Sequence, residues 1–176
     1  ALFHIDLSDS NNNWALGHGG STATDYSLGV AIGLDGTVYW QGSVAYAGGT
    51  NVTVGGNGGA NFTLSINPNV NDCMFLVAVF GGASGGQVKW AFTSGTTSNG
   101  RGIAAGANGR VYAVGGQSVG NFGSFTLTRA SMCLAAFDGA TGSVLWIHSV
   151  AKRGSANAIT AVSDGTLRVT GGYQSG

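Results

Sequence analysis

Short apolar stretches alternate along the chain with punctuation rich in Gly, Asn, Asp and Ser. Met74-Phe75-Leu76-Val77-Ala78-Val79-Phe80 has the length of a buried strand. No stretch approaches the roughly 18 apolar residues of a membrane-spanning helix. Asp35-Gly36, Asn108-Gly109 and Asp164-Gly165 each stand between two apolar stretches. That placement predicts hairpins closed by two-residue turns, with both turn residues at positive φ.

The stretches recur in a fixed order. A small-residue strand enters a turn and a second strand at Gly29–Tyr39, again at Gly102–Tyr112 and again at Ala158–Arg168. Next comes an apolar strand, a turn, and a strand carrying Trp. It runs from Leu2 to Trp14, from Phe75 to Trp90 and from Cys133 to Trp146. A short lead-in precedes the second and third of these, Asn61-Phe62-Thr63-Leu64 and Ser124-Phe125-Thr126-Leu127. Trp90 to Trp146 and Gly109 to Gly165 span equal numbers of residues, whereas Trp14 to Trp90 is longer because residues 45–60 are inserted. An insertion in one repeat maps to a loop at one face.

Each unit thus holds two hairpins, or four antiparallel strands, and a single such sheet cannot bury both faces without stacking on its neighbours. Radial stacking gives an all-β fold of β-propeller blades, small residues such as Ala104 and Ala105 near the axis and Trp at the rim. The divisions are residues 1–28 (second half of a blade), 29–92 (a blade with the Gly/Asn-rich insertion 45–60), 102–148 (a blade) and 157–172 (first half of a blade). That is about three blades, fewer than the typical 4–8, so the segment reads as part of a larger or oligomeric propeller. Two copies would supply six.

Gly123–Thr128, Leu134–Asp138, Gly142–Trp146, Ala158–Val162 and Val169–Gly172 resemble the SBBP-type β-propeller repeat family. Asp138-Gly139-Ala140-Thr141-Gly142 before Trp146 is also similar to the repeats of quinoprotein-like propellers. The resemblance covers most of residues 1–172. It implies a propeller and a secreted or cell-surface setting, and no particular activity.

Composition narrows the function classes. Charged residues are 8% of the chain, against about 25% in ordinary domains, and net charge is zero. Such a surface offers no field for nucleic acid or anionic lipid. With 33 Gly and one Pro the chain is not helical, and the glycines read as turns and bulges. The first residue is Ala1 rather than Met, which reads as a processed or excised chain. Asn51 and Asn61 begin Asn-x-Thr glycosylation acceptors for a secretory chain.

Candidate chemistry is sparse. All seven acids are Asp, and Asp35, Asp138 and Asp164 fall in recurring turns where carboxylates cap backbone groups. No carboxylate pair has a glycosidase pattern, and the five Arg are scattered rather than clustered. His4, His18 and His148 lack metal-ligand spacing, and residues 6–13 read as a polar hairpin loop rather than a calcium loop. Cys73 and Cys133, at near-equivalent positions of adjacent units, read as buried thiols, with pairing to another segment or chain the alternative. No cofactor is expected. Trp40, which has no counterpart in the other units, and Tyr46 are the candidate ligand contacts.

The expected function is a non-enzymatic extracellular or cell-surface structural or adhesive module, assembling with other protein chains or copies of itself. The alternatives are a carbohydrate-binding, lectin-like propeller using Trp40 and Tyr46, or a non-catalytic segment of a larger propeller enzyme.

Overall fold

The structure is a computed structural model and describes residues 2–4, 8, 14–19, 26–45, 51–56, 62–65, 72–80, 86–96, 98–150 and 154–173. All regular structure among these residues is β. The first eight strands are β1 (Leu2–His4), β2 (Trp14–Gly19), β3 (Tyr26–Ile32), β4 (Val38–Ala45), β5 (Asn51–Gly56), β6 (Phe62–Ser65), β7 (Asp72–Val79) and β8 (Val88–Thr93). The next eight are β9 (Ser98–Ala105), β10 (Arg110–Gln117), β11 (Gly120–Phe122), β12 (Phe125–Leu127), β13 (Ser131–Asp138), β14 (Val144–Val150), β15 (Gly154–Ala161) and β16 (Leu167–Tyr173).

They form three four-stranded sheets and two hairpins, all antiparallel. The first sheet has the order β1-β2-β5-β6, the second β3-β4-β7-β8 and the third β9-β10-β13-β14. Hairpins β11-β12 and β15-β16 stand as two-stranded sheets. The second and third sheets are built alike. In each, the chain makes one hairpin, leaves the sheet for another, and returns to make the last two strands. The excursion from the second sheet, β5-β6, adds β5 to β2 of the first sheet, with His18 opposite Val54. The excursion from the third, β11-β12, stays separate but sets Phe122 against Phe92 of β8, ring centroids 5.1 Å apart. Residues 45–60 therefore hold a strand of the first sheet rather than only a loop. Phe62–Leu64 and Phe125–Leu127, the matched lead-ins, both lie in the second strand of an excursion hairpin.

The apolar run of β7 follows from burial on both faces. Phe75, Val77 and Val79 pack toward Leu2, Leu16, Val54 and Leu64 of the first sheet. Met74, Leu76 and Ala78 pack toward Ile103, Val111, Ala113, Ala135 and Phe137 of the third. All six are 1% exposed or less. Fully burying a side chain of this kind contributes about 1.5–3 kcal/mol for the larger ones. β7 has no face left for polar residues.

The hairpin turns have a different geometry from the one the dipeptides predict. Among the described residues no non-Gly residue has positive φ, while Gly36, Gly109 and Gly165 lie at 76°, 72° and 85°. Gly36 N donates to Gly33 O at 3.0 Å and Gly33 N to Thr37 O at 2.8 Å. The same two bonds form in the Gly106–Arg110 and Val162–Thr166 turns. These are three-residue connections, a tight turn followed by a left-handed Gly. Asp35, Asn108 and Asp164 stay at negative φ and work as caps. Each accepts the backbone N–H two residues on, at 3.0, 3.2 and 2.8 Å.

Facing each of these turns down the sheet, the first two strands share a bulge. Register shifts between Ser27 and Gly29, between Val114 and Gly115, and between Ala156 and Ala158. A Gly sits at each site, and a side chain there would run into the opposite strand. A Cβ on Gly115 would overlap the Asn99 carbonyl oxygen and lie 2.9 Å from its carbon. On Gly42 it would strike the Tyr26 carbonyl and lie 2.6 Å from the Phe75 ring. On Gly171 it would lie 2.8 Å from Ala156 Cα.

Candidate functional site

A groove of about 580 Å³ opens at the turn end, between the second and third sheets. Leu34, Asp35, Phe80 and Lys89 line it from one side, and Ala107 and Arg110 from the other. Its floor is a bridge between the sheets. Trp90 Nε1 donates to Gly139 O at 2.9 Å, and Tyr39 OH donates to the same oxygen at 3.3 Å. Gly139 N in turn donates to Gly109 O at 3.0 Å, tying the two turns of the third sheet together. Gly142, at φ 74°, clears the Trp90 indole, which a Cβ would approach to 2.6 Å. Burial pushes the Tyr39 hydroxyl above its ordinary pKa.

The rim carries one ion pair. Lys89 Nζ lies 3.4 Å from Asp35 Oδ2, hydrogen-bonds Thr37 Oγ1, and sits 4.6 Å above the Phe80 ring. Thr37, through its hydroxyl first and its N–H second, holds the Asp35 carboxyl below the usual carboxylate range. At this exposed position the pair adds little to stability. Leu34 and Phe80 are exposed beside it. The arrangement can seat an apolar side chain with polar edges. Nothing in it joins a nucleophile to a base, and among the described residues no three His, Cys, Asp or Glu converge on a metal position.

A second groove of about 340 Å³ repeats this geometry between the third sheet and β15-β16, lined by Asn108, Tyr112, Ser163 and Asp164. Tyr112 and Trp146 there stack at 6.1 Å and 43°, much as Tyr39 and Trp90 do at 6.0 Å and 39°. Among the described residues no Gly139 counterpart hydrogen-bonds them. Tyr112 OH instead bonds Asn108, and Trp146 is half-buried, its ring 5.1 Å from that of His148.

The residues singled out in the sequence do not converge. Trp40 is 1% exposed and packs edge-on to Phe75, centroids 5.2 Å apart. Its indole fills the core between the first two sheets, so as a platform for a ligand it is replaced by a packing role. Tyr46 and Asn61 lie outside the described residues. Asn51 opens β5, opposite Ser65. Of the turn acids, Asp138 accepts from the N–H groups of Ala140 and Thr141 at 3.0 and 2.9 Å, and Asp164 from Thr166 Oγ1 at 2.6 Å. Thr141 N–H and the Thr166 hydroxyl are the main causes holding these carboxyls below their ordinary range. Arg101, Arg110, Arg129 and Arg168 are exposed.

Cys133 is a buried free thiol whose Sγ donates to Gln117 Oε1 at 3.5 Å, and burial pushes its pKa up to about 12. Cys73 pairs through its backbone with Val44, and Cys133 with Gly115, each on the third strand of its sheet. Neither His4, His18 nor most of residues 6–13 has a described side-chain environment.

The grooves were not foreseen from sequence, because they are made by residues of two different sheets. The signal available was the recurrence of Tyr39 with Trp90 and Tyr112 with Trp146 at matching positions. No family model matches the chain, and no curated protein matches it either.

Proposed function

We propose that the sheets are blades of a β-propeller and that the chain is a non-enzymatic structural or adhesive module of an extracellular or cell-surface assembly. Its partners are other protein chains, recognised through blade faces. The observation that carries this reading is the apolar face left open on β3. Val30 and Ile32, beyond the bulge and opposite Trp40 and Val38, share that face and are exposed to 56% and 68%. In the blade next to it, Ile103 holds the position of Val30 and is only 8% exposed, because β3 covers it. A scarcity of charge supports the reading too, since few ions need desolvation when such faces meet.

Sedimentation of the 176-residue chain over a range of concentrations tests it, with clumping of chain-coated beads as a second readout. Reversible association is expected, weakened in Val30→Asp while circular dichroism is unchanged. A chain that stays monomeric and leaves its beads dispersed would defeat the reading.

A further inference from the structure

Asn-Gly occurs three times in the chain, at Asn57, Asn99 and Asn108. In such a dipeptide the Gly nitrogen can reach the side-chain amide carbon before it, because no Cβ shields the approach. Asn57 lies outside the described residues, and the other two sites have opposite environments. We infer that Asn108 is a site of self-modification in the folded protein, losing its side-chain amide through attack by Gly109 N, whereas Asn99 is protected.

The step needs only the chain and water. A bond forms between Gly109 N and Asn108 Cγ, the Cγ–Nδ2 bond breaks, and Nδ2 leaves as ammonia with the proton from Gly109 N. The five-membered imide then takes up one water and opens either to Asp or to its isoaspartyl isomer. Nothing is oxidised or reduced.

Access separates the two sites. Asn108 and Gly109 are both exposed, and a Cβ on Gly109 would meet nothing within 4 Å. Gly109 N donates to Gly106 O at 3.3 Å, a longer bond than the 3.0 Å that Gly36 N and Gly165 N make in the matched turns. Asn108 Oδ1 accepts the Arg110 N–H at 3.2 Å, a donor placed where negative charge builds as the nitrogen attacks. At Asn99 the attacking nitrogen is already engaged, since Gly100 N donates to Ser43 Oγ at 3.1 Å in a buried contact. Asn99 and Gly100 are paired with Gly116 and Gly115 of β10. A Cβ on Gly100 would lie 2.9 Å from Gln41 Nε2, Gly42 O and Met74 Cγ. Closing the ring there means turning a peptide plane inside a packed sheet.

The matched turns show why Asn108 is singled out from Asp35 and Asp164. Thr37 and Thr166 hold those two carboxylates by their hydroxyls, at 2.7 and 2.6 Å, as well as by their N–H groups. An ionised carboxylate so held is a poor target for a nitrogen. Arg110 stands in the place of Thr37 and Thr166 and supplies only its N–H to Asn108. The turn also accepts one of the two products, because Asp is what the other two turns contain at this position. Conversion adds one negative charge to a chain of zero net charge, at a residue lining the second groove.

Incubating the 176-residue chain near neutral pH, folded and in parallel unfolded in urea, tests the inference. Peptide mapping by mass spectrometry separates the Asn, Asp and isoaspartyl forms at each site. In the folded chain Asn108 should convert at least about tenfold faster than Asn99, because freeing Gly100 N breaks buried hydrogen bonds. In urea the two sites should convert at comparable rates. Asn108→Asp, the product standard, should unfold at the same urea concentration as the unsubstituted chain. Equal rates at the two sites in the folded chain would overturn the inference, as would an Asn108 that converts in urea but not when folded. A marked drop in the Asn108→Asp midpoint would overturn the claim that the turn accepts its product.

Discussion

Replacing Gly115 by Ala should be among the most damaging single-methyl changes available in this protein. The added Cβ overlaps the Asn99 carbonyl oxygen and sits 2.9 Å from the carbonyl carbon, both parts of a paired backbone rather than the end of a flexible side chain. Relief requires β9 to move away at the bulge, which sacrifices pairing near Gly100 and loosens Met74, Gln41 and Ser43 packed against it. Overpacking of a rigid site costs typically 1–3 kcal/mol and occasionally more, and lost strand pairing adds to it, so about 3–4 kcal/mol is expected. For a domain of this size each kcal/mol moves Tm by about 2–4 °C, giving a fall of roughly 6–16 °C. Gly172→Ala is the matched control. Its Cβ meets nothing within 4 Å, and the change should fall within about 0.5 kcal/mol of neutral. Urea denaturation followed by tryptophan fluorescence, with thermal melts alongside, measures both. A Gly115→Ala loss below about 1 kcal/mol would refute the steric account of the bulge, as would a Gly172→Ala loss of equal size.

Trp90→Phe removes a buried N–H from the Gly139 carbonyl and should cost about 1–3 kcal/mol, whereas Trp146→Phe, whose indole N–H has no protein acceptor among the described residues, should cost less than half as much in the same assay. Asp35, Asp138 and Asp164 titrate below 3.8 when folded, so they add stability at higher pH and lose it as pH falls through their folded values. The urea midpoint should drop in that acid range, and less steeply in Asp164→Asn. Cys133 shows the opposite sign, its contribution intact below 9.0 and lost as pH rises toward about 12. Cys133 should resist alkylation in the folded chain at neutral pH and react on unfolding, a contrast that mass spectrometry of the labelled peptide reads directly.

Strands were legible where local chemistry sets them. The Gly residues of the three matched turns have the positive φ that Asp-Gly and Asn-Gly imply, although the Asp and Asn beside them do not. The dipeptide specifies where a left-handed residue falls, but the flanking hydrogen bonds decide how many residues the turn uses. β7 was legible because burial on both faces removes all polar alternation. The destination of β5 was not. Asn51–Gly56 carries no mark that it joins β2 rather than its own sheet, because a sheet partner is chosen by long-range packing. Trp40 misled for a related reason. Its lack of a counterpart in the other units reads as a special role on a surface, yet the first sheet covers it completely. Grooves and open faces depend on which sheets are neighbours, which periodicity alone does not specify.

The path of β5 also governs how the chain can be cut. Along the sequence the first and second sheets are interleaved, β1-β2 preceding β3-β4 and β5-β6 following before β7-β8. A truncation at residue 25 would leave the second sheet its four strands but strip β5 of its neighbour. The orphaned edge would be offered to any other strand in solution. Transplanting or duplicating the second sheet together with its β5-β6 excursion therefore means carrying along β2, with which β5 pairs. Adjacent units inherit one another's changes at β2 and β5, and a designer who treats each as a separable brick would be making a template for aggregation.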